Sequence, residues 1–219
     1  MSTTLLQLKT AFAANMLSAA TLDSDADTRV QNFINQGLQH WALQRDWSVL
    51  RARTTLDVTT AALATLPTNY RGVAAANDLL DVREVNSGTG DDVVYKQVHF
   101  ESKDDYATDV PVYWVFGNDA DGWYLYTNQT DSPTLQVMYL KKPTDLSAYN
   151  DVVIVPDPYA LIYYAGALYK SSTEFEVTPE WTAYISRIAE MWKREKIGSP
   201  PIQFKSRRDN QGMTNDYDF

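Results

Sequence analysis

The spacing of apolar side chains changes twice along the chain of 219 residues, and this change constrains the fold more than any other feature. Over residues 3–47 apolar side chains recur every three or four positions, as in an amphipathic helix. Over residues 50–142 short runs of β-branched and aromatic residues alternate with turn-forming residues, as in β-strands. Helical spacing returns over residues 156–197. The pattern predicts an α+β fold with helices at both ends and strands between them.

Four helices are predicted, and each has a recognisable start or stop signal. Because short amphipathic helices are marginal alone, we expect all four to pack as one four-helix bundle. The alternative is two separate helical hairpins on opposite sides of a sheet. The start signals are Thr3 or Thr4, a capping-box pattern of Ser24 with Asp27, the pair Asp157-Pro158, and Thr178-Pro179-Glu180; Gly198 with Ser199-Pro200-Pro201 is the stop signal.

The middle zone is predicted to be a small antiparallel sandwich or barrel. Two pairs of strands flank turn-rich segments at 86–91 and 117–122 and should form hairpins. Residues 101–106 should form a short helical turn. The predicted strands are 54–59, 80–85, 93–98, 112–116, 123–126 and 135–140.

The predicted domains follow from these zones. Residues 1–49 and 150–198 form the helical bundle, residues 50–149 form the inserted β domain, and residues 199–219 form an extended C-terminal tail. The tail is polar and lacks periodicity, yet it carries spaced apolar and basic anchors, which favours a docking segment over an inert end. The candidate partner-binding residues are Pro200, Pro201, Ile202, Phe204, Arg207, Arg208, Tyr217 and Phe219.

The residue types needed for most catalytic and metal sites are scarce. The chain has no cysteine and two histidines, His40 and His99, so thiol chemistry and most imidazole-based sites are excluded. No phosphate loop, dinucleotide fingerprint or nucleophile elbow occurs. Asp119 begins a segment like a calcium loop, but Trp123, Tyr124 and Thr130 occupy positions that need ligands or glycine. We predict no enzymatic activity, no cofactor and no metal.

The formal net charge of −9 bears on the partners of the protein. A protein that grips DNA usually carries a basic patch, and no long basic stretch occurs here. No apolar run is long enough to span a membrane. We therefore expect neither sequence-specific nucleic-acid binding nor membrane insertion. Six Trp and fourteen Tyr residues suit protein interfaces or the faces of a sheet.

Several short segments near the predicted turns and element ends follow one another in a characteristic order. In this order the chain resembles the adaptor, or head-to-tail connector, proteins of tailed bacteriophages. The resemblance covers about residues 3–197. The segments that carry it are NFINQGLQHWALQRDW at 32–47, LPTNY at 66–70, PVYW at 111–114, LQVMY at 135–139 with Pro143 and Leu146, and VPDPY at 155–159 followed by AGAL at 165–168.

The resemblance implies a structural virion protein made in the host cytoplasm and placed in the neck between head and tail. Such adaptors form a homo-oligomeric ring, commonly of twelve subunits, beneath the portal protein. They extend the DNA channel and present a surface to the next tail or nozzle protein. A C-terminal extension often reaches the portal, and the predicted tail matches that role in position and character.

Two other functions are consistent with the sequence. The protein could be another phage neck, tail or baseplate component, which differs in ring symmetry and binding partner. It could also be a carbohydrate-binding module or glycosidase that uses its aromatic-rich hairpins, which a glycan array would reveal.

Overall fold

The protein is described by a computed structural model that covers residues 2–72, 79–84, 92–107, 109–118, 120–171 and 178–198, with side chains to residue 195. The α-helices within these residues are α1 Leu5–Leu17, α2 Ser24–Gln44, α3 Tyr159–Ser171 and α4 Thr178–Gly198, and two 3-10 helices span Ser48–Leu50 and Phe100–Asp105. The strands are β1 Arg51–Asp57, β2 Leu63–Thr65, β3 Leu79–Glu84, β4 Val93–Val94, β5 Lys96–Gln97, β6 Val112–Asn118, β7 Gly122–Thr127 and β8 Thr134–Leu140.

The strands form two four-stranded sheets that face each other across an apolar core. The first sheet has the order β1-β8-β3-β4 and the second has the order β2-β7-β6-β5. Pairing is antiparallel except between β5 and β6, which run parallel. The core contains Val82, Leu135 and Val137 from the first sheet and Ala64 and Leu125 from the second. The inserted β region is thus a sandwich, one of the two forms that the strand pattern predicted, but the prediction of a wholly antiparallel region is wrong because β5 and β6 are parallel.

Most predicted strands and the helical turn are present, with small shifts of boundary. The hairpins β3–β4 and β6–β7 both pair as expected, although the turn of the first lies outside the described residues. The run 93–98 is split into β4 and β5, which belong to different sheets. The strand β2 was not predicted, since its three residues are too few to show a period.

The predicted four-helix bundle is wrong. Helix α3 packs against α1, α2 and α4. The four α-helices form a helical layer whose apolar core is completed by residues outside these α-helices, namely Leu50, Leu140, Leu146, Val153 and Val155. A single core joins all four helices, so the alternative of two separate helical hairpins is also wrong.

The four helices do not form a bundle by themselves because α1 begins alongside an extended segment, residues 149–155. The backbone N–H of Leu5 donates to the carbonyl oxygen of Asp151, and that of Val153 donates to the carbonyl oxygen of Thr3, at 3.0 and 2.9 Å. Thr4 and Val152 form a β-bridge. These bonds bring residues 149–155 against the helical layer and cover part of its core with extended chain.

The helix caps agree with the sequence at α1 and differ at α2. Thr4 caps α1 in a capping box with Gln7, whose side chain accepts from the Thr4 N–H at 3.0 Å. Helix α2 is capped by Asp23, one residue before the predicted Ser24, and Asp23 accepts from the Ala26 N–H at 2.8 Å. Asp and Ser are nearly equivalent as caps, so the sequence alone does not choose between adjacent candidates.

The corner after α2 connects the helical layer to the sandwich. Trp41 and Trp47 stack with ring centroids 5.1 Å apart, and the Trp47 indole N–H donates to the Trp41 carbonyl oxygen at 2.8 Å. Arg71, which follows the turn at 66–70, reaches back to the same corner and is buried there. These contacts fix where the chain enters the first sheet.

Candidate partner-binding surfaces

The predicted docking tail, residues 199–219, lies outside the described residues, and so do all eight of its candidate partner-binding side chains. Helix α4 brings the chain to the start of this segment. The last described turns of α4 border an apolar groove of about 260 Å³. Trp47, Val49, Pro156 and Met191 line the groove.

An aromatic surface covers the outer side of the second sheet. Side chains alternate across a strand, and on β6 and β7 the inner positions hold Tyr113, Val115, Trp123 and Leu125. The outer positions are also aromatic. Two cross-strand pairs, Trp114 with Tyr126 and Phe116 with Tyr124, form this outer surface.

Among these rings Phe116 and the neighbouring Phe100 are exposed, whereas Trp114, Tyr124 and Tyr126 are half-buried. Phe116 is 64% exposed, more than any other large hydrophobic side chain in the described part of the chain. Trp114 and Tyr126 stack with their planes 6° apart. We call Phe100, Trp114, Phe116, Tyr124 and Tyr126 the aromatic face. Tyr and Trp rings supply contact area with little entropy loss, so such a face is typical of an interaction surface.

The 3-10 helix Phe100–Asp105 borders the aromatic face and gives it charge. Its Phe100 ring lies 6.2 Å from the Phe116 ring. The Lys103 ammonium lies 4.8 Å from the Phe100 centroid and 5.9 Å from that of Trp114, in cation–π geometry. Glu101, Asp104 and Asp105 are exposed, so carboxylates outnumber the ammonium on this short helix.

Both histidines have structural contacts. His40 Nδ1 lies 2.8 Å from the Tyr184 hydroxyl and Nε2 lies 3.2 Å from the Gln44 side-chain nitrogen. Burial lowers the pKa of His40, which favours the neutral ring. His99 caps the 3-10 helix, where its Nδ1 accepts from the Glu101 N–H. Neither arrangement resembles a base beside a nucleophile.

The acidic groups singled out from the sequence act as turn or surface residues where they are described. Asn118 accepts from the N–H groups of Ala120 and Asp121, both at 2.7 Å, and Asp121 accepts from the Asn118 amide at 2.6 Å. This is the geometry of a capped hairpin turn. Asp91 and Asp119 lie outside the described residues.

An open surface depression of about 490 Å³ lies between α3 and α4. Arg187 and Asp157 lie in its wall and form an ion pair with each other.

In the sandwich core, burial raises the pKa of Tyr113 to about 12, so this phenol stays protonated. No group of His, Asp and Glu side chains suited to a metal ion occurs among the described residues.

Within the residues that the structure describes, no helix combines the length and the apolar character needed to cross a bilayer.

The protein thus combines a helical layer and a β-sandwich with partly exposed aromatic and charged side chains. Such surfaces are typical of a structural protein that binds other proteins. The sequence model of the SU10 adaptor protein family matches residues 3–203, nearly the whole chain. The protein therefore belongs to this family of phage head-tail adaptors. It is a structural protein of the virion that associates with other virion proteins. No curated protein matches the chain.

The predicted tail lies outside the described residues, and the sequence did not separate the two sides of the β6–β7 hairpin. The signal was present, because Trp114, Phe116, Tyr124 and Tyr126 occupy alternate positions of their strands. It was obscured because the positions between them are also apolar.

The first sheet carries two exposed arginines, Arg51 and Arg53. Their placement on one outer face depends on the pairing of β1 with β8.

Proposed function

We propose that the protein forms a homo-oligomeric ring, commonly of twelve subunits, beneath the portal in the neck of the virion. The ring extends the DNA channel and presents a surface to the next tail or nozzle protein. The observation that carries this proposal is the family match over residues 3–203. Ring closure requires that each subunit use two different surfaces, one for each neighbour.

The charge of the chain is consistent with a channel role. The formal net charge is −9, and DNA phosphates are repelled by a wall of like charge. DNA can slide past such a wall without the strong phosphate contacts that hold nucleic-acid-binding proteins in place. The proposal therefore involves no sequence-specific recognition of DNA.

The C-terminal tail is the proposed contact to the portal or to a neighbouring subunit. Pro200 and Pro201 restrict the chain as it leaves α4, which reduces the entropy lost on docking. Ile202 and Phe204 bind apolar pockets, while Arg207 and Arg208 pair with acidic groups. Tyr217 and Phe219 anchor the far end. A fully extended segment of this length reaches at most ~70 Å, enough to cross a neighbouring subunit.

The experiment is assembly of the full chain on its purified portal, observed by electron microscopy. We expect a ring of subunits below the portal, and we expect deletion of residues 199–219 to abolish it while the fold is retained. A weak contact repeated around a ring is strengthened by avidity, so loss of the tail should have a large effect. A normal ring from the truncated chain would contradict the role of the tail.

A point variant with a matched control separates docking from chain length. Ile202→Ser with Phe204→Ser removes two proposed anchors, whereas Asn210→Ser with Thr214→Ser changes tail residues that carry no proposed contact. Only the first pair should weaken assembly. A ring of different symmetry, or binding to another tail component instead of the portal, would assign the protein elsewhere in the virion.

A further inference from the structure

The two outer faces of the sandwich differ in chemistry and lie on opposite sides of the sandwich. The aromatic face covers the outer side of the second sheet. On β1, Ala52 and Leu56 pack into the core, so Arg51 and Arg53 lie on the outer side of the first sheet. The surface around these two side chains is called the arginine edge here, because β1 is the edge strand of its sheet.

The arginine edge carries exposed, uncompensated positive charge. Arg51 and Arg53 are both exposed, and within the described residues neither forms an ion pair. By contrast, Arg83 on the same sheet donates to Asp81 at 2.8 Å and is held within its own subunit. The remaining charged residue of β1, Asp57, accepts from the Thr134 hydroxyl at its far end.

The aromatic face is suited to receive arginine. Its rings already bind one cation, since Lys103 lies over Phe100 and Trp114. A guanidinium stacks on aromatic rings and binds carboxylates with paired N–H groups. Glu101, Asp104 and Asp105 supply those carboxylates, and the Glu101 side chain is 85% exposed. The face therefore offers both kinds of partner that arginine prefers.

We propose that the aromatic face of one copy, with its neighbouring carboxylates, binds the arginine edge of the next copy. The inference rests on the ring proposed above. Each copy carries both surfaces on opposite sides of its sandwich, so the contact is heterologous and continues from subunit to subunit around a closed ring. Opposite charge also guides the two faces into register and disfavours contacts between identical faces.

A charge exchange in the full-length chain tests this contact. One variant carries Arg51→Glu and Arg53→Glu, and a second carries Glu101→Lys, Asp104→Lys and Asp105→Lys. Each variant alone has faces of like charge and should fail to form rings on the portal. An equal mixture of the two should restore rings, because every contact then joins opposite charges in an alternating arrangement.

Controls keep the outcome interpretable. Lys193→Glu with Thr182→Glu adds negative charge to the exposed side of α4 and should leave rings intact. Circular dichroism and melting temperature establish that each variant is folded; Arg51→Gln with Arg53→Gln replaces the first variant if it unfolds. Phe116→Ala should weaken rings, whereas Leu43→Ala, which truncates a side chain on α2 that is 55% exposed, should not.

Each contrary outcome has a distinct meaning. Rings from wild type that are unchanged by Arg51→Glu with Arg53→Glu would overturn this inference and leave the proposed function standing. A wild-type chain that stays monomeric on the portal would overturn both. Glycan-array binding that Phe116→Ala abolishes, with rings unaffected by that substitution, would assign the aromatic face to carbohydrate instead.

Discussion

The guanidinium of Arg71 donates a hydrogen bond of 2.7 Å to the carbonyl oxygen of Ala42 in the last turn of α2. The same side chain donates to the Arg45 carbonyl oxygen and pairs with Asp46, both at 3.0 Å. The last carbonyls of a helix lack partners within the helix, and a cation there complements the helix dipole. Arg71 is 5% exposed, so it joins the sandwich to the helical layer through a buried contact.

Arg71→Met should therefore destabilise the protein by about 2 to 4 kcal/mol, since it leaves a buried carbonyl without a donor and removes a charged hydrogen bond. Urea unfolding followed by circular dichroism measures the change. Arg53→Met, on the exposed side of β1, is the matched control and should alter the free energy of unfolding by less than about 0.5 kcal/mol. Equal effects of the two substitutions would argue against the role given to Arg71.

Trp41→Ala should cost about 3 to 5 kcal/mol, because it removes a fully buried ring from the centre of the helical core. The Trp41 indole nitrogen has no hydrogen-bond partner among the described residues, so the loss is one of packing with Trp47 and its neighbours. Trp41→Phe should cost less than Trp41→Ala. An unchanged melting temperature for Trp41→Ala would show that the helical core does not stabilise the protein as described.

Acidification should weaken the fold through His40. Burial lowers the pKa of His40 in the folded state, so the unfolded chain binds more protons near its ordinary pKa of about 6.5. The contribution of the neutral ring to stability is present above that pKa and is lost as the pH falls below it. The groups that face the ring, the Tyr184 hydroxyl and the Gln44 amide with the rings of Tyr164 and Trp181, supply no carboxylate to stabilise the imidazolium.

The measurement is the free energy of unfolding between about pH 7.5 and pH 5.5, the range in which an ordinary histidine titrates. Wild type should lose more stability over this range than His40→Gln, which keeps a hydrogen-bonding side chain but does not titrate. Parallel pH profiles for the two proteins would refute this account of His40.

Gly72→Ala should destabilise the turn after residues 66–70 by about 1 to 3 kcal/mol. The Gly72 backbone has φ +60°, and an added Cβ would lie 2.4 Å from the ring of Trp123. Gly122→Ala is a matched control, since its φ of +89° imposes backbone strain while the nearest atom to a Cβ is 3.9 Å away. Thermal melts should show the larger loss for Gly72→Ala, and a larger loss for Gly122→Ala would mean that strain outweighs the clash.

Much of the local structure could be predicted from the sequence. The spacing of Leu5, Leu8 and Phe12 predicts α1, and Thr4 with Gln7 provides a cap that needs only neighbouring residues. The alternation along β8 likewise predicts a strand with one buried side. The order of short segments also carried the resemblance to phage adaptors, and the family match over residues 3–203 confirms this resemblance.

Tertiary structure decided how these elements pack and which surfaces they leave exposed. The helical spacing of apolar side chains predicts the four helices but does not show that residues 149–155 cover part of their core. The reason is that the hydrogen bonds that hold this segment join residues about 150 positions apart. Which side of the β6–β7 hairpin faces the core was equally hidden, since both sides are aromatic. Apolar spacing reports local conformation, whereas burial depends on the partner that each face meets, and only the folded chain brings those partners together.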